Sequence, residues 1–97
     1  MLEYRTYLLV CLMEECAEIQ KEAAKCLRFG ESNWHPADPK ITLNVDRLKY
    51  EIIDLCAIIE MLDFDPKFNG ADYEITKKMD DKRRKVEYMY DKEVYLK

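Results

Sequence analysis

The feature that most constrains the fold is a long stretch, from about Leu2 to Leu27, that contains neither Gly nor Pro. Apolar residues recur along it at steps of three and four, at Leu8, Leu12, Cys16, Ile19 and Ala23. Such steps place the apolar side chains on one side of an α-helix. The sequence therefore predicts one long amphipathic helix over this stretch.

A second helix is predicted after the segment "RFGESNWHPADPK", whose glycine and prolines are typical of a helix end and the loop that follows it. The helix is expected to begin near Thr42 or Asn44, either of which can act as an N-cap, and to run to about Asp63. Its apolar positions form a narrow seam for packing on another helix, at Leu48, Ile52, Leu55, Ile59 and Leu62.

A third helix is predicted from about Asp72 to Tyr95, after the break "DFDPKFNG". Its apolar side carries Ile75, Met79, Val86, Tyr90 and Val94. No alternating run favours a strand, and 97 residues leave no room for a second core. We therefore expect an all-α fold, a compact bundle of about three to four helices in one domain spanning residues 1–97.

Composition narrows the classes of function. The formal net charge of −4 argues against nucleic-acid binding, which usually needs a basic face. The apolar run Tyr7 to Met13 is too short to span a bilayer, and the N-terminus lacks the pattern of a secretion signal, so we expect a cytoplasmic protein. The four cysteines include no C-x-x-C pair, which favours reduced, buried thiols.

The acids of the first two helices carry the strongest chemical signal. Glu15, Glu18 and Glu22 follow at i, i+3 and i+7, so they lie on one stripe of the first helix. Glu51 and Asp54 stand at i and i+3 inside the apolar run "YEIIDLCAIIEML" of the second helix. Two such helices packed antiparallel would bring acids from both together.

Carboxylates beside a core need a counter-charge, because a buried, unpaired carboxylate costs several kcal/mol. Mg²⁺ is suited to this role, since it prefers oxygen ligands and completes its shell with water and substrate phosphates. A di-iron centre is excluded, because it needs two Glu-x-x-His pairs and His35 is the single histidine. The alternative is that the acids form an ordinary solvated helix face.

The residues "EECAE" and "EIID" resemble the paired E-E-x-x-E and E-x-x-D signature of the MazG-like all-α nucleoside triphosphate pyrophosphohydrolases. The resemblance continues through "KCLRFG" and "KRRKVEYM" and covers nearly the whole chain. It is closest to the short MazG-like proteins of bacteriophages. The segment between Glu18 and Glu51 is longer than in compact members, which leaves the course of residues 29–43 open.

This resemblance implies a function and a site. It implies Mg²⁺, with Mn²⁺ as a substitute, held by Glu15, Glu18, Glu51 and Asp54, which are also the expected catalytic residues. It further implies that an activated water cleaves a (d)NTP at the α-phosphorus to a (d)NMP and pyrophosphate, with purine deoxynucleotides such as dGTP or dATP among the expected substrates. The role of Glu14 is left open, as a salt-bridging or supporting group.

Substrate contacts are expected from six residues, each with an ordinary structural alternative. They are Lys25, Arg28, Asn44, Lys78, Lys82 and Lys85. The alternatives are helix C-terminal cations for the first two, a helix cap for Asn44 and a solvated basic stripe for the three lysines of the third helix. Trp34 either stacks on a base or anchors its own loop.

Two rival functions stay open from the sequence. The first keeps the fold and changes the substrate to dUTP, dCTP or phosphoribosyl-ATP. The second is a non-catalytic helical interaction protein, in which the acids only solvate one face. In the preferred interpretation a small helical protomer gains from packing on copies of itself, so a homodimer or homotetramer is expected, with the nucleotide as its other partner and neither membrane nor nucleic acid.

Overall fold

A computed structural model describes residues 2–63 and 73–92 and is helical throughout its regular parts. The helices are α1 (Tyr4–Phe29), α2 (Asn44–Leu62) and α3 (Tyr73–Asp91), and no strand occurs within the described ranges. The all-helical prediction is confirmed there. The break predicted at residues 63–70 lies outside the described residues except for Asp63, and so does the predicted end of the third helix near Tyr95. By its contacts the chain divides into two units, residues 1–63 and 64–97.

The first unit is a hairpin in which α1 and α2 pack on each other. At one end the Arg5 guanidinium, early in α1, donates a hydrogen bond of 2.7 Å from Nη1 to the carbonyl oxygen of Leu62, the last residue of α2. Leu8 and Leu62 are buried between the helices at this end. The two helices therefore run antiparallel, which was the arrangement needed to bring the acids together.

The other end of the hairpin is built around Gly30, where α1 stops. Its N–H donates to the carbonyl oxygen of Cys26 at 3.0 Å, and its φ of +93° lies where side chains with a Cβ are strained. A Cβ placed on Gly30 would also come within 3.1 Å of Asn33 Nδ2. The chain turns out of α1 here because this residue is glycine.

Helix α2 begins at Asn44, one of the two predicted starts, but its capping differs from the prediction. The capping position is Leu43, and no side chain caps the helix, so neither Thr42 nor Asn44 is the N-cap. Asn44 is the first helical residue and is buried. Its Nδ2 donates to the carbonyl oxygen of Gly30 at 2.9 Å, and its backbone N–H donates to Asn33 at 2.7 Å. Asn44 thus connects the start of α2 to the end of α1 and does not cap its own helix.

The loop between the helices is organised by Asp38. This carboxylate accepts hydrogen bonds from the backbone N–H groups of Lys40 (2.9 Å) and Thr42 (2.8 Å). It also accepts from Nη2 of Arg47 on α2 at 2.8 Å. Ile41, between the two backbone donors, adopts a φ of +53°, which is unusual for a β-branched residue. One side chain therefore fixes the loop and attaches it to α2.

The core of the described residues is small. Its buried apolar side chains are Leu8 and Leu62, while many large apolar residues of α1 and α2 are exposed. All four cysteines are free, as expected, but none is fully buried, and Cys16 and Cys56 are exposed. The expectation of buried thiols is wrong because the apolar faces on which they lie are covered only in part.

The second unit contains α3, which has no buried residue along its described length. Its charges pair along the helix, at Asp80 with Arg83 and at Asp81 with Arg84. Met79, Val86 and Tyr90 are all more than half exposed. None of the helices in residues 2–63 and 73–92 is long and apolar enough to cross a membrane.

Candidate metal centre and adjoining cavity

Three carboxylates from two helices meet in the first unit. Glu15 comes from α1, and Glu51 and Asp54 come from successive turns of one face of α2. One ligand oxygen of each lies within 4.8 Å of the corresponding oxygens of the other two. We call these three residues the acidic cluster.

The three members of the cluster differ in how far they are exposed to solvent. Glu15 and Glu51 are half-buried, whereas Asp54 is exposed. Oxygen Oε2 of Glu15 is shut off from solvent and has no hydrogen-bond partner among the described residues. A buried carboxylate oxygen without a donor is costly, so this atom marks a place where a cation would be stabilising.

The electrostatics of the cluster centre on Glu51. Burial raises the pKa of its carboxyl above the ordinary value, and the neighbouring charges of Asp54 and Glu15, followed by Glu18 and Glu22, raise it further. Each of these causes disfavours a negative charge at Glu51. A divalent cation bound in the cluster would oppose the effect of all four neighbouring charges on the pKa of Glu51 at once.

Glu22 is the acid that the predicted ligand set did not include. The residue is only 6% exposed. Oε1 lies 3.3 Å from Nζ of Lys25, one turn along α1, while Oε2 is buried and has no hydrogen-bond partner in the described part of the chain. The available signal was its i+7 spacing from Glu15 together with a lysine three residues later.

Glu18 is the predicted ligand that the structure does not bring into the acidic cluster. It is exposed on α1, and its oxygens are not among those that meet in the acidic cluster. Its charge nevertheless contributes to the raised pKa of Glu51. Of the four predicted ligands, the structure thus brings together Glu15, Glu51 and Asp54, while ligation by Glu18 stays a prediction.

A cavity of about 590 Å³ adjoins the end of α1, the connecting loop and the start of α2. Two of the predicted substrate-binding residues, Lys25 and Asn44, line it, together with the loop residue Trp34. The amide nitrogen of Asn44 is already engaged by Gly30, which leaves its Oδ1 for any ligand. We call this space the loop cavity.

The remaining predicted substrate contacts are not among the residues that form the cluster or line the cavity. Arg28 is exposed, with its guanidinium carbon 5.1 Å from the centroid of the Phe29 ring. On α3, in the second unit, an exposed groove is lined by Lys78, Lys82 and Lys85 and also by the acids Glu74 and Asp81. A phosphate contact by any of these cations stays a prediction.

The donor set fits a hard divalent cation. The cluster offers carboxylate oxygens only, which suit Mg²⁺ and Mn²⁺, and the described residues bring no histidine or thiolate to it as softer metals prefer. Comparison of the chain with protein-family models, curated proteins and solved structures finds no match.

Proposed function

We propose that the protein is a Mg²⁺-dependent nucleoside triphosphate pyrophosphohydrolase, which converts a (d)NTP to the (d)NMP and pyrophosphate. The observation that supports it most is the convergence of Glu15, Glu51 and Asp54, with an enclosed Glu15 oxygen for which the described residues provide no donor. Three acids on an ordinary solvated face would not need to bring their oxygens within 4.8 Å of one another. The paired E-E-x-x-E and E-x-x-D resemblance agrees with this arrangement.

Charge explains why metal dependence is expected to be absolute. The cluster and the substrate are both anionic, so a triphosphate is repelled from Glu51 and its neighbours unless cations separate them. Glu15, Glu51 and Asp54 would hold Mg²⁺, with Mn²⁺ as a substitute and Glu18 as a fourth ligand from the exposed side. When bound, the ion lowers the pKa of a coordinated water and polarises the phosphoryl oxygens.

The side chains around the cluster have distinct roles in this proposal. Asp54, the exposed member, would meet the incoming phosphate first. Glu15 and Glu51, more sheltered, fix the position at which the attacking water must stand relative to the α-phosphorus. Holding reactants in line is a large part of phosphoryl-transfer catalysis.

Lys25 is the best placed of the predicted phosphate ligands. Its ammonium lies between Glu22 and the loop cavity, 3.3 Å from the Glu22 oxygen. An ammonium can exchange a carboxylate partner for a phosphate oxygen with little change in position. Arg28, Asn44, Lys78, Lys82 and Lys85 are retained as weaker candidates for contacts to the substrate.

Self-association is the second part of the proposal. In the described part of the chain, large apolar residues such as Tyr7, Val10, Met13 and Ile53 remain exposed on α1 and α2. Exposed apolar surface on this scale is typical of an interface. We expect a homodimer or homotetramer, and light scattering on the purified chain measures the mass directly.

The same exposed apolar faces favour one rival function, a helical interaction protein without catalysis. That rival needs no metal, so it predicts that Mg²⁺ leaves the melting temperature unchanged. A third possibility keeps the enzyme and changes the substrate to dUTP, dCTP or phosphoribosyl-ATP. Both are tested by the experiment that follows.

The test is release of pyrophosphate and monophosphate from a panel of dNTPs, NTPs and phosphoribosyl-ATP, with Mg²⁺ and with EDTA. We expect turnover with Mg²⁺ or Mn²⁺ and none with EDTA, and the fastest substrate identifies the specificity, with dGTP or dATP expected first. A folded protein that hydrolyses nothing on the panel, and whose melting does not respond to Mg²⁺, would establish the interaction protein instead.

A further inference from the structure

The loop cavity has the size and lining of a small-molecule site. Its volume of about 590 Å³ lies within the range usual for ligand pockets. Phe29, Trp34 and Pro36 give it aromatic and apolar walls, while Asn33, His35 and Arg47 place polar groups among them. Flat apolar walls interrupted by a few hydrogen-bonding groups suit a planar heterocycle with a polar edge.

The cavity is held open by hydrogen bonds of its own rim. Asp38 fixes the loop to Arg47 at 2.8 Å, and Asn44 fixes the first turn of α2 to Gly30 at 2.9 Å. The N–H of Val45 donates to the carbonyl oxygen of Glu31 at 3.1 Å, which adds a third connection. A ligand therefore meets a preformed site and does not have to order the loop.

His35 presents a defined donor to this space. Its Nδ1 accepts a hydrogen bond of 3.0 Å from the N–H of Ala37, which also lines the cavity. With Nδ1 used as an acceptor, the proton of the neutral ring is on Nε2. A base edge offers acceptor atoms to such a group.

Along α2, the nearest wall of the cavity lies one helical turn from the acidic cluster. Arg47 precedes Glu51 by four residues on α2, a rise of about 6 Å. On α1, Lys25 lines the cavity and pairs with Glu22, whose charge acts on Glu51. Cleavage at the α-phosphorus requires the nucleoside to lie next to the reacting atoms, and this cavity is the space adjoining them on the loop side.

We propose that the loop cavity binds the nucleoside part of the substrate, with the base against the indole of Trp34. The inference rests on the proposed function, because it takes the triphosphate to lie at the acidic cluster. It extends that function by assigning base selection to residues 29–47, the long connection between the two acidic helices. Trp34 is then a specificity residue and not only an anchor of its loop.

The chain supplies its own reporter for the test, since Trp34 is its single tryptophan. Full-length protein in EDTA is titrated with deoxyadenosine, deoxyguanosine, deoxycytidine and thymidine while indole emission is followed. We expect a saturable change, at least tenfold tighter for one base than for the weakest, and unaltered in Glu51→Gln. Absence of a saturable change with all four nucleosides in the wild-type chain overturns the proposal.

Kinetics provide the second arm. Trp34→Ala is expected to raise KM at least tenfold with kcat within about threefold, while Trp34→Phe recovers most of the loss because a phenyl ring still stacks. The matched control is Tyr4→Ala, which removes an exposed aromatic of the same unit that does not line the cavity. Equal KM values for Trp34→Ala and Tyr4→Ala contradict the proposal.

The two arms separate this inference from the proposed function. Hydrolysis without nucleoside binding and without a KM effect at Trp34 removes the cavity assignment and leaves the enzyme. Saturable nucleoside binding without hydrolysis on the whole panel supports the cavity and removes the pyrophosphohydrolase. The wild-type titration needs no variant, so it decides even if Trp34→Ala fails to fold.

Discussion

Glu51 and Asp38 are both acids of the first unit, and their surroundings act on them in opposite directions. Around Glu51, burial and four neighbouring carboxylates raise the pKa. Around Asp38, the N–H groups of Thr42 and Lys40, aided by Arg47, hold the pKa of the carboxyl well below its ordinary range. The negative charge of Asp38 is thus satisfied within the chain, whereas that of Glu51 still needs a partner.

This difference separates an acid that builds the structure from one that is available for chemistry. A carboxylate that already accepts three hydrogen bonds has little to gain from a ligand. One that is crowded by like charges gains most when a cation arrives. Substitution of Asp38 should consequently lower stability, whereas substitution of Glu51 should lower activity.

The largest expected effect is on turnover. Glu51→Gln should lower Mg²⁺-dependent kcat at least ~100-fold, because it removes a ligand, and even groups that only support metal ligands are worth 10–100-fold. In EDTA the same variant should melt at a higher temperature than the wild type, since a crowded charge is gone. Steady-state kinetics and a thermal melt measure the two effects.

Glu60→Gln is the matched control, because Glu60 is an exposed acid of the same helix outside the cluster. It should leave both kcat and the melting temperature in EDTA close to the wild-type values. If Glu51→Gln behaves like Glu60→Gln in both assays, the contrast between Glu51 and Asp38 has no functional meaning.

The next effect concerns the cations near the cluster. Lys25→Met should raise KM about tenfold, since loss of one charge-assisted hydrogen bond to phosphate is worth about 1.4 kcal/mol or more. Arg28→Ala removes an exposed contact with Phe29 and should change KM less than about threefold. Parallel kinetics on the two variants test this, and a larger effect at Arg28 would reverse the assignment.

A third prediction concerns the structural side of the comparison. Gly30→Ala should destabilise the protein by about 1–3 kcal/mol, because alanine at a φ of +93° is strained and its Cβ would crowd Asn33. Urea unfolding gives the difference. Ala24→Gly, at an exposed position inside α1, is a useful comparison for the ordinary cost of a glycine–alanine exchange, about 1 kcal/mol. An unchanged stability for Gly30→Ala would remove the role given to this turn.

The smallest effect is in the pH dependence of stability without metal. The raised pKa of Glu51 means that its ionised form destabilises the folded state, and this penalty is relieved as pH falls through the raised pKa toward about 4.3. The lowered pKa of Asp38 contributes stability that is present above about 3.9 and is lost as pH falls further.

The melting temperature in EDTA should therefore rise slightly on mild acidification and then fall in stronger acid. Glu51→Gln should lack the rise, and Asp38→Asn should have a lower melting temperature at neutral pH and a weaker fall. Melts at a series of pH values, at constant ionic strength, measure all three chains. If the melting temperature of Glu51→Gln still rises on mild acidification, another acid is responsible for the rise.

Much of the helical layout and part of the site were predictable, because both follow from spacing. The i, i+3 relation of Glu51 and Asp54 survives in any α-helix, and Glu15 meets them once the two helices run antiparallel. Helix ends were predicted to within about two residues for α1 and α2. These are properties of single helices and of one packing choice.

The loop could not be predicted in the same way. The positions of Asp38 and Asn44 depend on hydrogen bonds across the connection, and a sequence does not say which backbone groups will be within reach. Asn44 does not cap α2 as was expected, and its side chain holds the carbonyl of Gly30, while contact with a ligand stays a prediction. Glu22 was on the predicted acidic stripe, but only three-dimensional packing shows that it is buried while Glu18 is exposed.

The two ends of the α1–α2 hairpin have a mechanical consequence for its middle. Arg5 donates a hydrogen bond to the carbonyl of Leu62 at one end, and Asn44 donates one to the carbonyl of Gly30 at the other. Two helices that are connected at both ends resist sliding along each other far better than they resist bending apart in the middle. The distance between the acids of α1 and those of α2 thus depends on hydrogen bonds several turns away. A substitution of Arg5 would therefore change the geometry of the acidic cluster without altering any of its carboxylates.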